Sequence, residues 1–484
     1  MKNSFIVLFL LISQSLFAQT ILKAEALQND FQIIRKSYEQ MHPGLYKYQS
    51  KKTIDAAFET CKKALNKDQT LTEAYLTIHQ LTSSFKCGHA YPNFFNQENF
   101  LKKEVFEQKN ALPFHFKIID DRMIVIRSAD STIKRGIEIK SINGIKIQKI
   151  IHTILPIVRA DGSNDSKRKS LLENGKEYFS YFDIFFPIFF NIKHSTFTIA
   201  YADFGSKKSQ TIEVSAMNHA DRDKIIKANY QETEYKKIAF NWLNAETAVM
   251  TINDFNNYNG KTDYAKFYLE SLREYNLKKG KNLIIDVRKN EGGNSSEMFK
   301  LIPYFSEKSI DYVDIQNTWQ MLKIDSTLKP LVSNSDWAKY WFDQRNKGYQ
   351  ETPLGQWKVA KNAQVFTPNS ERFTGNIFLL SSATNSSAAY MMVETFKKYK
   401  LATIVGQTTG GNQRGITAGA MFFISLPNSK IEVDVPLIGT DLALAQTLPD
   451  AGIEPDVFVQ PSIADLIKGT DTEMNTVYKL INKQ

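Results

Sequence analysis

Residues 377–390 read IFLLSSATNSSAAY, and this stretch decides how the rest of the chain is interpreted. The apolar residues predict a buried strand, the small residues after them predict a turn, and a helical pattern starts directly behind the turn. A serine at such a junction has its N–H at a helix N-terminus, where the helix dipole can stabilise an oxyanion. Serines at these junctions are also common helix caps without any chemistry. The stretch alone leaves both interpretations open.

From residue 248 onward, strand patterns alternate with helical patterns. The predicted strands are 249–252, 283–287, 377–380 and 402–405, and the predicted helices are 264–272, 296–302 and 388–399. This alternation predicts an α/β core with crossover helices. Residues 306–370 interrupt it with a polar stretch too long for a simple connection, which we interpret as an insertion that either covers the site or lies at the periphery. Residues 461–484 are predicted to be helical.

The first half of the chain divides into a helical part and a β-rich part. Apolar residues recur at helical spacing through residues 20–86. Residues 114–119, 122–127 and 196–201 are strand-like, and Asn143-Gly144 forms a turn between two short strands. The segment around Gly136 and this turn resembles a PDZ-type domain, which implies binding of an extended peptide by strand addition.

Composition places the chain among ordinary globular proteins. Of its 484 residues, 42% are hydrophobic and 23% are charged, so a large core can form. The net charge of +10 comes from lysines that are scattered along the sequence. No nucleic-acid motif accompanies them, so we expect no nucleic-acid partner.

The N-terminus has the pattern of a signal peptide. Lys2 precedes an apolar run at residues 5–12, and Ala18 ends a small-residue cleavage site. We therefore expect a signal peptide at 1–18 and a periplasmic or secreted mature chain. The later run at 185–190 is too short to span a membrane, so no integral membrane segment is expected after cleavage. Cys61 and Cys87 could pair or remain buried thiols, and both alternatives stay open.

Three loops rich in small residues follow predicted strands. Two of them contain paired glycines, Gly292-Gly293 and Gly410-Gly411, and the third is the serine turn. Loops at the carboxyl ends of strands line the functional crevice of an open α/β sheet, so these loops are expected to meet. Glycines let backbone N–H groups point into a site without a Cβ in the way.

At these loops the chain resembles the C-terminal processing peptidase and tricorn protease family of serine peptidases. Residues 287–293 resemble its "LRgNgGG" loop, 387–390 its "SAAE" turn, 406–411 its "GexTgG" loop and 452–457 its "GvxPDi" motif. The resemblance implies a multidomain α/β fold. Its parts are a helical N-terminal domain at 19–110 carrying the His89 loop, a PDZ-like domain at 111–235, and a crotonase- or Clp-like α/β peptidase core at 236–484 with the insertion 306–370.

The resemblance also assigns roles to residues. Ser387 falls on the nucleophile, Ala388 on one donor of the oxyanion hole, and Gly292 or Gly293 on the other. The processing-peptidase branch has a lysine base where this chain has Asn412. The tricorn-like branch has a histidine in a "DGHt"-like motif instead.

Lys86-Cys87-Gly88-His89 resembles that motif, so His89 is the expected base, although Lys86-Cys87 replaces the usual acid. A carboxylate late in the chain orients the base in the tricorn-like branch. Asp450 and Glu454 are the candidates here, and we select Asp450 as a third catalytic residue. Nucleophilic catalysis by Cys87 beside His89 is disfavoured, because near-adjacent residues of one loop rarely have the geometry of nucleophile and base.

The sequence therefore predicts an exported serine endopeptidase acting on a peptide or protein substrate. No metal or organic cofactor is implied. One alternative is a catalytically inactive peptide-binding protein that keeps the fold, because Lys86, Glu291, Tyr390 and Asn412 depart from the family pattern. Another is a crotonase-like enzyme acting on acyl-thioesters, against which the signal peptide and the PDZ-like segment argue.

Overall fold

A computed structural model describes most of the chain after its first 18 residues. The described residues are 19–107, 110–175, 180–192, 195–230, 235–312, 319–321, 326–334, 349–351, 357–359 and 364–483. The predicted signal peptide and much of the predicted insertion lie outside them. Within these ranges, no helix has both the length and the apolar character needed to cross a membrane.

The N-terminal part is helical, as the apolar spacing predicts. Its helices are Ala24–Met41, Lys51–Ala64, Leu71–Ser84 and Asn99–Leu101, followed by a π-helical turn Lys102–Phe106, and strands Ile21–Leu22 and Gln69–Thr70 pair beside them. The third helix begins with a capping box, in which the Thr70 and Glu73 side chains accept each other's backbone N–H groups. It ends next to Phe85, which places the 86–90 loop directly behind a well-defined helix.

The middle part is an antiparallel sheet accompanied by helices. Its strands are Phe114–Ile119, Arg122–Ser128, Glu138–Ile142, Ile145–Lys146, Thr196–Ala202 and Gln210–Ser215, and its helices are Ile147–Ile154, Asp165–Leu172, Tyr181–Phe190 and His219–Asn229, with a 3₁₀ turn Leu155–Ile157. The Asn143-Gly144 turn joins two paired strands, as predicted. The aromatic run 185–190 belongs to a ten-residue helix whose Phe185 and Phe186 are buried.

The core is a mainly parallel sheet, which confirms the predicted α/β layering. Its strands lie in the order Val457–Phe458, Thr403–Gly406, Asn376–Ser381, Asn282–Asp286, Thr247–Ile252 and Ile238–Trp242, and the last strand is antiparallel to its neighbour. The accompanying helices are Tyr264–Leu277, Ser295–Phe299, Ser387–Lys398, Leu442–Gln446, Ile463–Lys468 and Thr472–Ile481, with a 3₁₀ turn Ile302–Tyr304.

Both faces of this core sheet are buried, which explains its nearly continuous apolar strands. Leu283 and Ile285 contribute to one hydrophobic cluster, together with residues of the helices Tyr264–Leu277 and Ser387–Lys398. Ile284 belongs to a second cluster on the opposite face, together with Val477 of a C-terminal helix. Strands in this position end at a common edge, so their following loops are brought together there.

A second sheet joins the core to the N-terminal helices. Its long strands are Ala418–Ser425 and Glu432–Thr440, and short strands Trp319–Met321, Tyr349–Glu351 and Trp357–Val359 extend it. The buried Asp30 carboxylate accepts the N–H groups of Asn428 and Ser429 in its hairpin turn. This contact fixes the helical part against the region that follows the second Gly-Gly loop.

The described pieces of residues 306–370 attach to the core at separate places. Strand Ile310–Tyr312 pairs with Gln364–Phe366, and a 3₁₀ helix Ser326–Leu331 lies beside strand Ala418–Ser425. The described pieces are therefore held by pairing within the segment and by contact with the second sheet. Whether the segment covers the site stays a prediction, because most of its middle lies outside the described residues.

Candidate active site

Ser387 occupies a strained turn between strand Asn376–Ser381 and helix Ser387–Lys398. Its φ of +52° lies in the left-handed region, which a residue with a side chain rarely adopts. Such strain persists only where the surroundings enforce it, and it is concentrated at functional sites. A sharp strand-to-helix turn of this kind exposes a serine hydroxyl at the top of a sheet.

The helix-cap interpretation of this serine turn fails on its hydrogen bonds. Ser386 is the N-cap residue, yet its side chain caps nothing and its Oγ donates to the carbonyl of Glu291 at 2.9 Å. The partly exposed Ser387 makes no side-chain hydrogen bond within the described part of the chain. Its hydroxyl is therefore uncommitted.

Asn385 holds the turn in place. Its buried side-chain amide donates to the carbonyls of Val287 and Asn290, and its Oδ1 accepts the N–H of Ser382 at 2.7 Å. One asparagine thus joins the serine turn to the first Gly-Gly loop. The predicted meeting of these two loops is confirmed.

Gly292 lies against the backbone of the serine turn. A Cβ at this position would stand 2.6 Å from the Cβ of Ser387 and 2.8 Å from the carbonyl oxygen of Ser386. Its φ of +118° also excludes most side chains. Only glycine therefore lets this loop approach the serine so closely.

The two glycines of this loop differ in their N–H groups. The N–H of Gly292 donates to Oδ1 of Asn290 at 2.8 Å. The N–H of Gly293 has no partner among the described residues, and neither has the N–H of Ala388 in the first turn of the helix. Two of the three predicted oxyanion donors are therefore free in this structure, and Gly292 is not.

The second Gly-Gly loop, residues 406–412, is fixed by a different segment. Asn164 donates from Nδ2 to the carbonyls of Thr409 and Gly411, both at 2.9 Å. A Cβ on Gly411 would stand 2.2 Å from the Tyr390 ring. This loop therefore packs on the helix behind Ser387 and directs carbonyls toward residues 159–164.

His89 lies in the loop 86–90, which leads out of the N-terminal helices toward the same region. Arg159 joins this loop to the first Gly-Gly loop, because its guanidinium donates to the carbonyl of Gly88 at 3.2 Å and lies 3.6 Å from the Glu291 carboxylate. Ser387 and His89 make no hydrogen bond to each other in this structure. Nucleophile–base contacts often tighten only in the substrate complex.

Burial controls the protonation of His89. It lowers the pKa of the imidazole to about 4, against the opposing effect of the Asp161 carboxylate. The nearby cations Arg159, Lys167 and Lys47 lower this pKa further. His89 is therefore neutral at physiological pH, which is the state that a general base requires.

Asp450 lies close to this cluster but bonds to other groups. Its Oδ1 accepts the N–H of Ser163 at 3.0 Å and an amide hydrogen of Asn412 at 2.7 Å. These hydrogen bonds keep the pKa of Asp450 below its ordinary value although burial acts to raise it. Asn412, at the position of the family lysine, thus binds a carboxylate late in the chain.

The segment 159–167 was not identified from the sequence, although it connects all of these loops. Besides Arg159 and Asn164, it supplies Lys167, a buried side chain that donates to the carbonyl of Thr384 at 2.7 Å and approaches the Glu291 carboxylate at 3.4 Å. Its small polar run with an Asp-Gly pair was the available signal for a tight loop.

Cys87 is unsuited to be the nucleophile. Both cysteines are free and buried, and burial raises the pKa of the Cys87 thiol to about 12. A thiol attacks as its thiolate, which is hardly populated under these conditions. The Cys–His alternative is therefore disfavoured by the environment as well as by the spacing.

Comparison with known proteins agrees with the loop motifs. Residues 246–458, which contain the serine turn and both Gly-Gly loops, match the model of peptidase family S41. The resemblance predicted from the loop motifs is thereby confirmed. No curated protein matches the chain at a significant level.

Solved structures share the overall fold. The structure of mature CPAF complexed with lactacystin is 12% identical, has a TM-score of 0.66, and is matched over 95% of this chain and 98% of that chain. A second structure of mature CPAF is 12% identical, with a TM-score of 0.64 and coverage of 95% and 97%. At this identity the likeness establishes a common fold over nearly the full length.

Proposed function

We propose that this chain, whose core matches the model of peptidase family S41, cleaves polypeptides internally through an acyl-enzyme on Ser387, with His89 as general base. The match of residues 246–458 to the model of this peptidase family supports a serine-type peptidase and hence a peptide or protein substrate. The observation that carries the proposed mechanism is the strained Ser387, whose uncommitted hydroxyl lies beside the Gly-Gly loop and the free N–H of Ala388.

The proposed reaction follows the order of serine peptidases. Ser387 Oγ attacks the peptide carbonyl carbon while His89 takes the hydroxyl proton. His89 then gives this proton to the leaving amine, the C–N bond breaks, and an ester on Ser387 remains. Water then attacks the ester carbon while His89 takes a proton from it, the C–O bond to Ser387 breaks, His89 returns the proton to Ser387 Oγ, and the carboxylate product leaves.

The N–H groups of Gly293 and Ala388 support an oxyanion hole, because both are free to bind the negative oxygen of the tetrahedral intermediate. Gly292 contributes differently, by allowing the close approach of its loop to Ser387. In this assignment Asp450 supports the site through Asn412 and Ser163 and does not itself hold the imidazole.

The remaining parts of the proposal concern where and how substrate reaches the site. We propose that the six-stranded middle sheet is a PDZ-like domain that binds substrate chain, and that the protein is exported with cleavage after Ala18. The Gly136 region and the Asn143-Gly144 hairpin support the first point. The apolar run at residues 5–12 supports the second.

A fluorophosphonate probe tests the nucleophile directly. We expect the purified chain to be labelled at Ser387 and to hydrolyse a dye-labelled unfolded protein, with both activities lost in Ser387→Ala and strongly reduced in His89→Ala. Cys87→Ala is the matched control, since it changes the same loop as His89 and should retain labelling. A folded wild-type chain that is neither labelled nor active would favour the inactive peptide-binding alternative.

A further inference from the structure

Residues 159–162 clamp the loop that carries His89 through its backbone. The N–H of Gly162 donates to the carbonyl of Lys86 at 2.8 Å. The carboxylate of Asp161 accepts the N–H of Gly88 at 2.9 Å, and Arg159 donates to the carbonyl of the same glycine. Every one of these bonds acts within three residues of His89, so this segment determines where the imidazole lies.

The Asp161 side chain is buried where it contacts the backbone of Gly88. It is 3% exposed, and its Oδ2 lies only 3.1 Å from the point where a Cβ on Gly88 would stand. Because Gly88 has no side chain, the Asp161 carboxylate can lie directly against its backbone, one residue before His89. The Nδ1 atom of His89 is itself buried and makes no hydrogen bond with the described residues.

The charges that face His89 make this carboxylate important. The groups that act on the imidazole are the anion Asp161 and the cations Arg159, Lys167 and Lys47. Proton transfer from Ser387 would create a fourth positive charge in this buried cluster. An anion beside the imidazole offsets that repulsion, because opposite charges interact strongly where water is excluded.

We propose that Asp161 is the positioning residue of the proposed active site, fixing the His89 loop through Gly88 and stabilising the imidazolium that forms during catalysis. This proposal rests on the proposed role of His89 as general base. It also explains the place of Asp450. Asn412, which Asp450 holds, donates to the carbonyl of Asp161 at 3.3 Å, so Asp450 acts on the His89 loop only through that segment.

The test compares Asp161→Asn with Asp55→Asn in the full chain. Asp161→Asn keeps an oxygen that can accept the Gly88 N–H but removes the negative charge. Asp55 is a partly exposed carboxylate that pairs with Lys51 on the helix Lys51–Ala64, so its substitution makes the same change in net charge outside the site. We expect kcat to fall on the order of 10²–10⁴-fold in Asp161→Asn with little change in KM, and to stay unchanged in Asp55→Asn.

A second measurement does not depend on activity. The titration of His89 is followed by NMR of chain labelled at histidine Cε1, with His89→Gln to assign the signal. Asp161→Asn should lower the midpoint by about one pH unit or more, because loss of the anion disfavours the imidazolium, and Asp161→Glu should restore it in part. If Asp161→Asn does not fold, Asp161→Ser replaces it.

The two measurements separate the possible failures. An unchanged His89 midpoint in folded Asp161→Asn, or a loss of kcat that is equal in Asp55→Asn, would overturn the role of Asp161. A wild-type chain without Ser387-dependent labelling would instead overturn the proposed function. The NMR result would still decide whether Asp161 controls the charge of His89.

Discussion

The two Gly-Gly loops look alike in the sequence, yet they meet different parts of the molecule. Gly292 and Gly293 both have strongly positive φ angles, and Gly292 touches the backbone of the nucleophile turn. Gly410 and Gly411 have ordinary φ angles, and Gly411 is confined by the Tyr390 ring. Paired glycines therefore indicate a close approach without indicating what is approached.

This difference determines what each loop contributes. The first loop leaves the N–H of Gly293 free beside the turn of Ser387, where an oxyanion would form. The second loop offers its carbonyls to Asn164 and holds Asn412 against Asp450. The first loop can act on the reaction, whereas the second supports the segment that carries Asp161.

Among changes that compare the two loops, the largest effect is expected for Gly292→Ala. The new Cβ would collide with Ser386 and Ser387 in a backbone region that alanine disfavours, so the oxyanion donors would be displaced. We expect kcat/KM to fall on the order of 10²–10³-fold, as for loss of one oxyanion donor. Steady-state hydrolysis of a peptide substrate measures this change, and circular dichroism checks the fold. A folded Gly292→Ala chain with wild-type activity would show that the close approach is irrelevant to the reaction.

Gly411→Ala should act mainly on stability. Its Cβ would overlap the Tyr390 ring, and overpacking of this kind costs about 1–3 kcal/mol in the free energy of unfolding. The combination with Tyr390→Ala removes the ring and leaves the Cβ of residue 390 at 2.7 Å, so the overlap is relieved in part and the two substitutions should be non-additive. Denaturant unfolding of the four chains in this cycle measures the coupling. Additive effects would contradict the distinction between the loops.

The smallest effect concerns the pH dependence of kcat/KM. His89 accepts a proton only when neutral, and burial lowers its pKa from 6.5 to about 4. The rate should therefore stay at its plateau at neutral pH and fall as the pH decreases through about 4. Gly292→Ala should lower the plateau and leave this midpoint in place, because it acts on the oxyanion. A wild-type midpoint near 6.5 would show that His89 is more exposed in solution or is not the base.

Local features of the sequence predicted the parts of the site that are local in the structure. The apolar run before Ser387 and the helical pattern after it predict a strand and a helix, and both are present. The paired glycines predict tight loops at one edge of the sheet. These features follow from periodicity and backbone conformation, which short stretches of sequence specify.

The contacts that complete the site are not local, and the sequence does not specify them in the same way. The Asn385 side chain, for example, joins the serine turn to the first Gly-Gly loop by donating to the carbonyl of Val287, 98 residues away in the sequence. Asp161 lies beside Gly88 because the helical part and the middle part pack together over a long sequence separation. Neither the periodicity of the chain nor the loop motifs indicate such docking, so Asp450 was preferred as the acidic residue on family grounds.

The proposed base His89 and the proposed nucleophile Ser387 are far apart in the sequence, and this separation affects when the chain can become active during its synthesis. His89 belongs to the helical N-terminal part, which is held to the hairpin 418–440 by contacts such as the hydrogen bond that the Tyr38 hydroxyl donates to the Asp434 carbonyl at 2.9 Å. A growing chain on the ribosome contains the proposed base, His89, long before the proposed nucleophile, Ser387, has been added. Peptide cleavage must then wait until synthesis is nearly finished and the distant parts have docked, which protects the nascent chain from digesting itself.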